Sequence, residues 1–295
     1  MKKVIIPIII AAICLPVVLL AVLLASISFG YEVSRDVAYG VEDYEIMDVY
    51  IPDGVEEADE CGAVIFIHGG SWQGGDKREE EIRCKFLASR GYIAATVNYA
   101  LYSKDNPDAF SVDVVMDEID AAILELLCFT SELDISLTRV AISGYSAGAH
   151  LSMMYAFSRA YAAPLDVVFS ANLAGPADIS TEIWGEDLAL KIGTMLSGVE
   201  LTRDMLESGE ADEILAEISP VTHVDENTPP VLFVYGGKDT TVKAENGDSL
   251  VRALEEHGIE YEYIFMPNSD HSLLQNIFKH LDYMLTLSDW CEKYF

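Results

Sequence analysis

From about Tyr31 onward, short apolar runs rich in β-branched residues alternate with longer segments in which apolar positions recur every three or four residues. That alternation is the pattern of a mostly parallel sheet covered by helices, so the expected fold class is α/β. Buried strands are expected at residues 63–67, 93–98, 140–143, 167–173, 231–235 and 261–265, with an earlier, half-exposed strand at 44–51. Helical stripes cover 113–131, where Val114, Met116, Ile119, Ile123, Leu126 and Leu127 share a face, and then 147–159, 244–257 and 274–294. There is no internal repeat and no low-complexity segment, and residues 31–295 read as one domain. The stretch 181–219 differs: it is helical in pattern, rich in Glu and Asp, and interrupted at Gly185, Gly193, Gly198 and Gly209. An insertion at that point stands over the C-terminal edge of the sheet, where ligands bind in open α/β folds, and is expected to form a small helical cap.

Ahead of the domain, Lys2 and Lys3 precede a run at residues 4–29 that contains no charged residue. A signal peptide's apolar region is usually about 7 to 15 residues, whereas this run is long enough to cross a bilayer. A membrane anchor over residues 1–30 is therefore expected. The basic flank before it and Glu32, Asp36, Glu42 and Asp43 after it would place the domain outside the cytoplasm. The small-residue pattern at Ser26 and Ser28 leaves a cleaved signal, and hence secretion, as the alternative.

Composition narrows the function classes. A hydrophobic content of 51% excludes a disordered chain. The 18 basic against 49 acidic residues give a formal charge of −31, which repels phosphate backbones, so nucleic acid is not an expected partner. Of Cys14, Cys61, Cys84, Cys128 and Cys291, none forms a C-x-x-C pair or stands near histidines at zinc spacing, so no metal site is expected. The four in the domain read as free thiols in preference to bridges.

The strongest chemical signal is R-V-A-I-S-G-Y-S-A-G-A-H-L, from Arg139 to Leu151. A buried strand runs into G-Y-S-A-G and a helix starts at once, which is the setting of a nucleophile elbow carrying Ser146. The pentapeptide alone also occurs by chance as a turn; the strand before and the helix after give it chemical meaning. Free N–H groups of the helix start point toward the same serine. The segment H-G-G-S-W, His68 to Trp72, follows a buried strand where a loop of oxyanion donors would lie. The expected donors are the backbone N–H groups of Gly70, Ser71 and Ala147, with Trp72 and Tyr145 facing substrate and His68 bracing the loop.

A serine nucleophile needs a base, and the base needs an acid to fix its tautomer. His150 falls one turn down the elbow helix, His257 ends a helix before Gly258, and His280 lies within the last helix, while His223 reads as a surface residue at the cap junction. His271 stands instead in P-N-S-D-H-S, after a strand and before a helix, and is the expected base. Asp239 occupies the loop G-G-K-D-T-T-V at the same sheet edge and is the expected acid, ahead of Asp270, Asp178 and Asp225.

With these motifs in this order, the chain from about residue 44 to its end resembles the α/β-hydrolase family, within it the esterase and lipase group related to bacterial feruloyl-type esterases. The resemblance implies an α/β-hydrolase fold, a Ser146–Asp239–His271 triad, an H-G-G oxyanion loop, hydrolysis of a small-molecule or carbohydrate-linked ester, and no cofactor. Two features depart from the common pattern. The histidine loop reads N-S-D-H-S-L where relatives have G-x-G-H-G-F, and H-G-G-S lacks the third glycine of the hormone-sensitive-lipase type. A serine peptidase of the same fold and a noncatalytic binding module are the rival readings.

Overall fold

The computed structural model describes residues 30–58 and 60–295. Eight strands form its sheet: β1 (Tyr31–Ala38), β2 (Ile46–Pro52), β3 (Cys61–Ile67), β4 (Ile93–Val97), β5 (Leu137–Tyr145), β6 (Asp166–Leu173), β7 (Val231–Gly236) and β8 (Tyr261–Met266). Their order is β1-β2-β4-β3-β5-β6-β7-β8. Pairing is antiparallel at β1–β2 and β2–β4 and parallel from there to β8. In β3 the residues from Gly62 to Ile67 are buried, as an apolar run covered on both faces requires. Alternate side chains serve opposite layers: Ala63, Ile65 and Ile67 join one core cluster, Val64 and Phe66 the other.

The helices are α1 (Glu81–Ala88), α2 (Val112–Glu132), α3 (Ala147–Met154), α4 (Thr181–Trp184), α5 (Glu186–Ser197), α6 (Arg203–Ser208), α7 (Glu210–Glu217), α8 (Glu245–His257) and α9 (Ile277–Tyr294). Helix α2 starts where Ser111 Oγ accepts the Val114 N–H, and it buries Val115, Met116, Ile119, Ala122, Ile123 and Leu126. The short helices α4 to α7 make the small cap. Ala189, Ile192, Leu196, Ala211 and Leu215 pack into the same cluster as Leu151 and Tyr155, which anchors the cap beside α3.

This mostly parallel sheet with helices on both faces is the α/β-hydrolase fold. From β3 the chain crosses to β4 on one side, and the next parallel strand, β5, lies on the other side. Loops after β3 and β5 therefore diverge at a topological switch point, the place where open α/β sheets hold ligands.

A membrane anchor, a membrane partner and an anchored extracytoplasmic location were read from the sequence, but among the described residues no helix is long and apolar enough to cross a membrane. The two longest helices are each charged: α2 carries Asp113, Asp117, Asp120 and Glu125 outside its buried stripe, and α9 carries Asp282, Asp289, Glu292 and Lys293. Residues 1–29, on which that expectation was placed, lie outside the described residues. Cys61, Cys84, Cys128 and Cys291 are free thiols.

Candidate active site

Four loops at the C-terminal edge of the sheet converge. The first is the turn from β5 into α3, where Ser146 adopts φ 55° and ψ −118° and donates its N–H to Leu173 O at 2.8 Å. A non-glycine residue in that region costs on the order of 1–3 kcal/mol and persists only when its surroundings hold it. They do so by close packing, because a Cβ on Gly148 would stand 2.0 Å from Ile67 O and one on Gly144 2.3 Å from Gly148 C. The two glycines of G-Y-S-A-G thus let α3 start directly against β3.

His271, in the loop after β8, places Nε2 2.8 Å from Ser146 Oγ and Nδ1 2.6 Å from Asp239 Oδ2. The Asp239 side chain is wholly buried in the loop after β7. Its other oxygen accepts the N–H groups of Thr241 and Val242 at 2.8 and 2.9 Å, which locks its rotamer. A carboxylate only accepts, so the imidazole proton sits on Nδ1 and Nε2 is left to accept from the Ser146 hydroxyl. The remaining candidates are occupied elsewhere. Asp270 accepts from Ser272 N–H and Oγ–H, Asp178 from Ser180 N–H, and Asp225 from Asn227 N–H. His223 donates to Glu217 O at the surface.

The fourth loop follows β3. His68 is buried, donates Nδ1–H to Gly69 O at 2.7 Å, and stacks on Tyr99 with ring centres 4.5 Å apart. Burial lowers its pKa, and a neutral ring spent on its own loop is a brace. Gly70 has φ 117°, and a Cβ there would fall 1.9 Å from Gly74 O, so only glycine fits. Ser71 and Trp72 follow at φ 54° and 58°. Among the described residues the N–H groups of Gly70 and Ser71 donate to nothing, and Ala147, as the first residue of α3, has no carbonyl one turn back to bond. Trp72 is buried, edge-on to His150 at 5.3 Å. Tyr145 is half-buried, with its hydroxyl donated to His271 O.

Several supporting residues give no motif signal. Lys77, which reads as a surface charge after G-G-D, is buried between Asp48 and Asp36, and its N–H donates to Asn98 Oδ1 at 2.7 Å. It fastens the far end of the H-G-G loop to the sheet. Asn246, also buried, accepts from the N–H groups of Ala177 and Asp178, where the chain leaves the sheet for the cap. A charge or amide facing inward at an irregular position looks like any solvated residue in a periodicity pattern.

His150 ties the elbow helix to the end of the cap by donating Nε2–H to Ile218 O at 2.9 Å. Burial brings its pKa down to about 4. The unfolded chain therefore takes up this proton first, at about pH 6.5, and the stability owed to the neutral ring is present above that pH and lost as pH falls toward 4. Between pH 7 and pH 4.5 the loss from this one group is about 2 kcal/mol. Urea unfolding of His150→Gln at the two pH values is expected to show a pH dependence shallower by that amount; a slope equal to the parent's would refute the assignment.

A buried carboxylate, an imidazole and a strained serine in one hydrogen-bonded line, on an α/β-hydrolase sheet, define the serine-hydrolase class of this fold. Residues 47–254 match the family model described as BD-FAE, and the chain belongs to that family. Among curated relatives it is similar to the kynurenine formamidase of Danio rerio, 22% identical over 260 residues that cover 85% of this chain and 78% of that one. It is also similar to dipeptidyl aminopeptidase BIII of Pseudoxanthomonas mexicana, 26% identical over 70% of this chain and 30% of that enzyme, so it spans under a third of that relative's length. Among solved structures, a truncated carbohydrate esterase from gut microbiota superposes with a TM-score of 0.74 at 17% identity, over 91% of this chain and 98% of that one, a likeness of fold.

Proposed function

We propose that this protein is a serine esterase that hydrolyses carboxylic esters through an acyl-enzyme intermediate. The observation that carries the reading is the unbroken line Ser146 Oγ, His271 Nε2, His271 Nδ1, Asp239 Oδ2, with spacings of 2.8 and 2.6 Å across its two hydrogen bonds. Ser146 Oγ attacks the ester carbonyl while His271 Nε2 takes its proton. Asp239 keeps the ring in the required tautomer and stabilises the imidazolium. The carbonyl oxygen, now negative, is received by the N–H groups of Ala147, Gly70 and Ser71, a reading supported by their having no other acceptor among the described residues. The imidazolium then protonates the departing alcohol, and a water activated by His271 releases the acid.

Membership of the BD-FAE family supports an ester as substrate, and the fold neighbour named as a carbohydrate esterase supports carbohydrate-linked esters beside small ones. The test is hydrolysis of p-nitrophenyl acetate, butyrate and octanoate against an aminoacyl p-nitroanilide. Ester turnover that exceeds anilide turnover by orders of magnitude is expected. Cleavage of the anilide with the esters untouched would make the protein a peptidase instead.

A further inference from the structure

The base sits on an exposed segment. Of residues 267–276, only Ser269 and Leu273 are buried. Asp239 and Ser146 hold the imidazole ring, but a ring is placed only as firmly as the backbone that carries it. Among the described residues, the main chain of His271 makes one hydrogen bond: its carbonyl accepts the Tyr145 hydroxyl at 2.9 Å.

Tyr145 is the residue directly before Ser146, at the end of β5. The same strand end therefore fixes the nucleophile through the main chain and the base through a side chain. The Tyr145 ring is itself confined. The Arg83 guanidinium lies 5.9 Å from its centre and the His271 ring 5.3 Å, and a methyl group on Gly69 would come within 3.0 Å of a ring carbon. Arg83 is in turn paired with buried Glu80. Burial, and after it the charge of Asp239, raises the phenol to about 12, so it remains an O–H donor throughout the neutral range.

Resting on the esterase reading of this site, we infer that Tyr145 is a positioning residue, whose hydroxyl holds the His271 backbone so that Nε2 stays in reach of Ser146. Its hydroxyl is committed to that carbonyl, so its effect falls on the chemical step and not on substrate binding.

Tyr145→Phe keeps the ring between Arg83 and Gly69 and removes only the donor. With p-nitrophenyl butyrate, kcat is expected to fall about 10- to 100-fold, with KM within about twofold, because displacements near 1 Å carry losses of that order. The downfield proton NMR signal of the His271 Nδ1–H to Asp239 bond is expected to broaden or vanish in the variant. An unchanged kcat with an unchanged signal overturns the inference, as does a raised KM at constant kcat, which would make Tyr145 a substrate contact. Should the parent protein itself turn over no ester, the esterase reading fails, and the NMR signal alone decides whether Tyr145 holds the base: loss in the variant supports it and persistence overturns it.

Discussion

Ser146→Ala is expected to lower kcat for a p-nitrophenyl ester by about four to six orders of magnitude while the protein remains folded. The lost atom is the nucleophile, and nothing else in the line can replace it: His271 takes the serine's proton and Asp239 orients the His271 ring, so neither supplies an attacking oxygen. The fold should scarcely register the change. Ser146 Oγ makes a single hydrogen bond, so its removal alters stability by about 1 kcal/mol or less, and alanine inherits a φ of 55° that the glycines of the elbow already enforce. Steady-state kinetics beside urea unfolding reads both halves. Turnover within tenfold of the parent, from a variant unfolding at the parent's midpoint, would remove Ser146 from the mechanism.

The second large effect is expected at Asp239→Asn, which should lower kcat by about 10⁴ with KM little changed. The buried carboxylate accepts three N–H groups, from Thr241, Val242 and His271. An asparagine oxygen can still accept the first two, but its NH₂ then confronts the His271 Nδ1–H, donor against donor. The ring escapes by moving its proton to Nε2, the nitrogen that must accept from Ser146, and the base is gone. A loss smaller than tenfold would show that another carboxylate orients His271. Asp270, bonded to Ser272 in its own turn, would be the first to examine.

Which parts were legible in the sequence depended on whether a single periodicity or motif carried them. The central strands could be read from their apolar runs because a parallel strand buried on both faces admits little else, and β3 and β7 fall within two residues of their expected bounds. β1 could not, because Arg35 breaks its alternation where the register shifts between Ser34 and Val37, and its existence depends on pairing with β2 at the sheet edge. Helix α1 gives no signal for a related reason: Ile82 faces solvent while Cys84, Leu87 and Ala88 face inward, which leaves too weak a stripe in eight residues. The helix expected at 147–159 is regular only to Met154 and continues as one wider turn through Tyr155–Arg159.

At the site, Ser146, Asp239 and His271 were selected by position at strand ends, and the structure brings the three side chains together. Their supports were not visible, because Lys77, Asn246 and the Tyr145 hydroxyl act on partners 21 to 126 residues away, and no local pattern encodes so distant a partner. The sequence places Tyr145 toward substrate; its bond to His271 O depends on where the loop after β8 returns, which is a property of the whole sheet.

The most direct test of the central claim is to treat the purified protein with a fluorophosphonate and map the adduct by peptide mass spectrometry. A single phosphonylated residue, Ser146, that disappears in His271→Ala is the predicted result. No adduct, or an adduct on another residue while Ser146 stays unmodified, would contradict the account.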